Sequence, residues 1–301
     1  MMSIKLRALT LLIMACISFV TSAGTSQWID FEVINGKVVV PAKIEGVDVK
    51  AILDTGLEEH YISNSFLSTH SLNDRKGKAV SIQDKSSEKK KFLYNQIQLD
   101  IFGFKNKLDK MIPTEVSEGD IVLGSRFFFN FVMQFDFPNR RLRFLERKAI
   151  NLKEAENIEM RIHRQSDLPI VKVKLNNTKS VWTILSTGSQ EGLLLDRLVV
   201  ESEGWVQLGQ ESSIEITQIN GIQSYDLMKI TKVQFGPFNI DDVSAAYSKK
   251  GMKFELLDNS AFTGSNMRGM DVKGVLGYDI LQHFLITVDF KYGYMHIGLP
   301  E

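Results

Sequence analysis

Ile52-Leu53-Asp54-Thr55-Gly56 returns 132 residues later as Ile184-Leu185-Ser186-Thr187-Gly188, with four of the five residues identical. A second pair of stretches recurs in the same order. Leu123-Gly124 opens a segment ending Phe135-Asp136-Phe137, and Leu276-Gly277 opens one ending Val288-Asp289-Phe290, aligned without a gap at a spacing of 153. Two blocks repeated in one order indicate an internal duplication, whose second copy is 21 residues longer between the blocks.

Working outward, each copy carries the same succession of signals. An apolar strand runs into a Thr-Gly turn, β-rich sequence follows, and an apolar-Gly segment leads through a short apolar helix to a last strand. Val38 to Val40, Val49 to Leu53, Ile170 to Leu175 and Val181 to Leu185 are rich in β-branched and apolar residues bounded by turn formers. Asn220-Gly221 is a hairpin turn by composition, since both residues tolerate positive φ. The expectation is an all-β chain of two lobes, 28–148 and 160–301, joined by a connection over 149–159. In each lobe a hairpin between the turn and the Gly segment, 79–93 and 212–227, fits a flap that closes on an extended ligand.

Lys and Arg total 36 and so do Asp and Glu, which leaves no bulk field to draw the chain to nucleic acid or to an anionic membrane. Lys5 and Arg7, the apolar run Leu9 to Val20 and Thr21-Ser22-Ala23 read as a secretory signal peptide over residues 1–23. Cleavage there gives an exported protein, periplasmic or secreted, with a formal charge near −2. It also removes Cys16, the one cysteine, and with it disulfides, zinc-thiolate sites and a cysteine nucleophile. Processing at Cys16 as a lipoprotein is the rival reading, although the apolar Ile-Ser-Phe-Val after it is unlike a polar tether. No other stretch has the roughly 20 apolar residues of a membrane span, so stable insertion is not expected. The five histidines show no ligand spacing, and no Gly-rich phosphate loop is present, so neither a metal nor another cofactor is expected.

An apolar pair before Asp-Thr-Gly, with an apolar-apolar-Gly sequence some 70 residues on, resembles the pattern of aspartic proteases. Here it is Ile52 to Gly56 with Ile121-Val122-Leu123-Gly124, then Ile184 to Gly188 with Gly274-Val275-Leu276-Gly277. The chain resembles a duplicated bacterial member of the retropepsin-like family over nearly all of its length after the leader. The resemblance implies two pseudo-symmetric acid-protease β-barrel lobes with a cleft between them. It also implies an aspartic-type endopeptidase acting on an extended polypeptide. Thr55 and Thr187 would tie the two turns together, Gly56 and Gly188 would allow their approach, and Leu123, Gly124, Leu276 and Gly277 would support them from behind.

Two aspartates that share one proton hydrolyse a peptide without metal: the ionised one activates water and its neutral partner protonates the carbonyl oxygen. Asp54 supplies one, but Ser186 stands where the second would be. A serine hydroxyl can hold a water, yet it carries no titrating proton near neutral pH. Leu57 also departs from the small residue usual after the turn, whereas Ser189 fits. Three readings stay open: a peptidase working through Asp54, a pseudoprotease that binds a polypeptide or protein partner without cutting it, and a homodimer pairing two copies of Asp54 in place of a monomer. Glu58 and Glu59 are expected to point along the next strand, not into the dyad. Phe127, Phe128, Phe129 and Phe131 read as core, and Asp136 and Asp289 as structural.

Overall fold

The computed structural model describes residues 24–84, 87–163, 166–219, 221–252, 254 and 272–300. The expected leader with Cys16, and Lys85 and Asn220 of the two hairpins, lie outside the described residues. The chain is all-β, with strands over 53% of it. Among the described residues no helix exceeds six residues, and none is long and apolar enough to cross a membrane.

Each repeated block forms the same local structure in the same register. Val47–Leu53 pairs in parallel with Ile121–Leu123, setting Leu53 opposite Leu123. Lys179–Leu185 pairs in parallel with Val272–Leu276, setting Leu185 opposite Leu276. In both halves a three-residue strand, Tyr61–Ser63 or Leu193–Leu195, runs antiparallel to that Gly-segment strand. These strands are buried on both faces because they lie inside eight-stranded sheets, one for each half. After each Gly segment comes one helical turn, Ser125–Phe128 or Tyr278–Leu281.

A five-stranded sheet is built jointly. Val132–Asp136 and Leu285–Asp289 lie antiparallel at its centre, and Gln134 stands opposite Thr287, its own counterpart at the spacing of 153. The Gln134 amide donates to Thr287 Oγ1 at 2.8 Å, so a local two-fold axis runs between these two residues. One contiguous cluster of buried residues spans both halves, from Val38 and Leu53 through Phe128 and Phe135 to Leu185 and Ile286. Phe127, Phe128 and Phe131 pack in and against it.

The connection between the halves is not a free tether. Leu152 and Ile158 are buried, and the Asn157 side chain both donates to Ile297 O and accepts from Ile297 N, at 2.8 and 2.9 Å. Asp136 and Asp289 are buried at the ends of the central strands. Asp136 accepts from Asn139 and Arg141, and Asp289 accepts from Arg147 and from the Lys291 and Tyr292 backbone. Both acids brace turns.

Candidate functional site

The two Thr-Gly turns meet back to back. Thr55 Oγ1 donates to Leu185 O at 2.6 Å and accepts from Thr187 N at 3.2 Å. Thr187 Oγ1 donates to Leu53 O at 2.6 Å and accepts from Thr55 N at 3.1 Å. Both side chains are buried, so this reciprocal set replaces hydration that the turns have lost. The axis that passes between Gln134 and Thr287 therefore has a second set of counterparts at Thr55 and Thr187.

Asp54 and Ser186 are brought together by this arrangement. Ser186 Oγ donates to Asp54 Oδ1 at 2.9 Å, and Gly56 N donates to the same oxygen at 2.8 Å. In mirror image, Gly188 N donates to Ser186 Oγ at 3.2 Å. Both glycines are required by proximity. A Cβ at Gly188 would lie 2.2 Å from Asp54 Cγ, and one at Gly56 would lie 2.6 Å from Ser186 Cβ. Burial pushes the Asp54 carboxyl above the usual carboxylate range, opposed by the donors at Gly56, Ser186 and Gly188 and by the charge of Lys37.

The pair opens into a cleft of about 490 Å³ between the halves. Its apolar walls are Ile52, Tyr61 and Val122 on one side and Leu194, Ile216 and Tyr225 on the other, each set belonging to a small buried cluster. The hairpin Gly209–Gln218 and Gly221–Phe235 lies along it, and Ile219 near its tip packs on the cluster of the first half. The hairpin Lys76–Asp84 and Ser87–Tyr94 forms a sheet of its own. In the second half a hairpin thus borders the cleft in the stretch where a flap was expected.

The Gly segments support the turns through matched bonds. Ser125 N donates to Leu57 O, and its counterpart Tyr278 N donates to Ser189 O. A Cβ at Gly124 or Gly277 would lie 2.2 or 2.4 Å from the carbonyl oxygen of Glu59 or Glu191. Glu58 and Glu59 reach the cleft rim and are bound there by Arg126, at 2.5 and 2.8 Å. Sequence reasoning missed Lys37, which lines the cleft while its Nζ contacts Glu118 Oε2 at 2.5 Å and Ser117 Oγ at 3.2 Å. It also missed Glu191. Among the described residues no group of three or more His, Cys, Asp and Glu stands where it could hold a metal ion.

Neither a scan against protein-family models nor a search of curated proteins found a match. The site therefore rests on its own geometry.

His60, behind the first turn, accepts from Gly124 N through Nδ1 at 3.1 Å. Burial, with Arg126 nearby, lowers its pKa to about 4 from 6.5. The unfolded chain takes up this proton as the pH falls below about 6.5, whereas the folded chain resists until about 4. The His60 contribution to stability should fall by about 3 kcal/mol across that window. Urea unfolding at pH 7 and pH 4 checks this against His60→Asn, which should lack most of that fall. Equal losses in the two proteins would exclude His60 as the cause.

Proposed function

We propose that the protein is an exported, retropepsin-like aspartic endopeptidase that takes an extended polypeptide into the cleft between its halves. Asp54 is its one dyad carboxylate. The observation that carries this reading is the meeting of Asp54 with its repeat counterpart Ser186 across the threonine-tied turns, 2.9 Å apart at their oxygens. In its ionised form Asp54 would take a proton from water, and Ser186 would help to hold it by hydrogen bonding. The chain's own glycines keep the carboxylate in register, and the apolar walls exclude bulk water from the scissile bond. What this site lacks is a neutral carboxyl to protonate the carbonyl oxygen, so turnover should be slow.

That lack favours a second reading, a pseudoprotease whose cleft holds a polypeptide or protein partner without cutting it. Cleavage of a diverse peptide library between pH 3 and pH 8 by residues 24–301 separates the two. Turnover that disappears in Asp54→Ala supports the peptidase. Peptide binding with no turnover in either protein supports the binding role, and turnover that survives Asp54→Ala sinks the assignment of Asp54.

A further inference from the structure

Each Gly segment holds its turn through three hydrogen bonds, and the two sets correspond member by member. Asp54 N donates to Leu123 O at 3.0 Å, and Ser186 N to Leu276 O at 2.9 Å. Ser125 N donates to Leu57 O, and Tyr278 N to Ser189 O. The third pair breaks the correspondence. Gly277 N donates to the carbonyl of Gly192 at 3.1 Å, whereas Gly124 N donates to Nδ1 of His60, also at 3.1 Å. His60 and Gly192 are counterparts at the spacing of 132, as Gly124 and Gly277 are at 153. The His60 carbonyl accepts instead from Ile112 N at 2.9 Å, in the strand Ile112–Thr114. Its imidazole takes up the amide that a peptide oxygen holds in the other half.

The exchange has a chemical consequence. A peptide carbonyl accepts a hydrogen bond throughout the ordinary pH range, but an imidazole nitrogen accepts only while it carries no proton. The bond from Gly124 N therefore places the one proton of the neutral ring on Nε2, and a second proton would set N–H against N–H. The charged groups around the ring are Arg126, on the helical turn after the Gly segment, and Glu58 and Glu59, both bound by Arg126. Tyr61, next in the chain, is a phenol that stays neutral in acid. The neighbouring strands Ile112–Thr114 and Ile121–Leu123 carry no ionisable side chain. Leu123, Gly124 and Ser125 are consecutive, so losing the middle bond frees the segment between its holds on Asp54 N and Leu57 O.

We propose that His60 is a positioning residue for Asp54, closing the first turn onto its Gly segment by a bond that acid opens, while the second turn, closed through Gly192, keeps its own. This inference rests on the reading of Asp54 as the dyad carboxylate and adds an acid limit to it. The carboxylate is held in register only while His60 is neutral, and acid releases one half of the site and not the other.

Amide exchange in the full-length protein, followed by NMR and corrected for the intrinsic rate at each pH, tests the bond directly. The ring resists protonation until about pH 4 when closed and takes a proton near 6.5 when open, so protection of Gly124 N–H should fall about a hundredfold between pH 7 and pH 4. Gly277 N–H should keep its protection. His60→Asn offers an acceptor oxygen in the place of Nδ1 and does not titrate, so Gly124 should stay protected at both pH values. Glu58→Gln combined with Glu59→Gln, which leaves the ring in place, should retain the fall. Equal falls at Gly124 and Gly277, or a fall that persists in His60→Asn, overturn the proposal. So does a ring nitrogen spectrum of the native protein at pH 7 that puts the proton on Nδ1, a readout that needs no variant to fold. In whichever of the native protein and Ser186→Asp cleaves peptide at pH 7, His60→Ala should lower kcat about tenfold with KM nearly unchanged, and His60→Asn should restore most of it. A raised KM with unchanged kcat would place His60 in ligand binding and overturn the positioning role. If neither protein cleaves, the peptidase reading fails, and the exchange comparison still decides whether His60 closes the turn.

Discussion

Ser186→Asp is expected to raise peptide cleavage by about 10²- to 10⁴-fold over the native protein, the usual worth of a positioned acid-base group. The seat for the new carboxylate already exists. Gly188 N points at the position 186 side chain at 3.2 Å, as Gly56 N points at Asp54 Oδ1 at 2.8 Å. An aspartate would therefore find the backbone donor that its counterpart has, facing that counterpart where Ser186 Oγ now donates. Two carboxylates so close cannot both ionise, and the single shared proton they retain is what the reaction needs. A bell-shaped pH profile should accompany the gain, and both should vanish in Ser186→Asp combined with Asp54→Ala. Because His60 lowers stability as the pH falls toward 4, the rate is best read above that value. Cleavage no faster than that of the native protein, from a variant with unchanged unfolding, would mean that the turns do not form a protease dyad.

Much of this geometry was legible in the sequence because a duplication makes two independent statements of one structure. The spacings of 132 and 153 reappear as strand registers, Leu53 with Leu123 and Leu185 with Leu276, and as the contacts between Asp54 and Ser186 and between Gln134 and Thr287. Period-2 burial and turn residues carry that information locally. The asymmetries were not legible, since they depend on how a hairpin leans over the rest of the chain. Both hairpins were placed by their position between the turn and the Gly segment, but the leaning of the second over the cleft, with Ile219 on the cluster around Tyr61, is a tertiary contact that no local pattern announces. Lys37 was hidden for a similar reason: its partner Glu118 is 81 residues away. Glu191 could have been found by carrying Glu59 across the repeat, as Asp54 was compared with Ser186.

Thr187→Val should cost about 3 kcal/mol of stability, one of the largest losses available to a single buried polar side chain here. Valine keeps the volume and the β-branching, so packing is nearly unchanged. What it removes is a hydroxyl that both donates to Leu53 O and accepts from Thr55 N. One carbonyl and one amide are left in the protein interior without partners, and each such group costs about 1–3 kcal/mol. Thr187→Ser keeps the hydroxyl and should cost far less. Thr55→Val breaks the mirror-image pair of bonds, to Leu185 O and from Thr187 N, and should match Thr187→Val in magnitude. The two losses should not add, because each substitution lets the turns separate and admits water to the groups that the other would strand. Urea midpoints of the three variants and the double variant measure these values. A Thr187→Val protein within about 0.5 kcal/mol of native would show that the turns are held by the surrounding apolar core and not by their hydroxyls. The same separation should loosen the contact of Ser186 with Asp54, so ligand binding in the cleft should weaken in proportion to the lost stability in the valine variants and survive in Thr187→Ser.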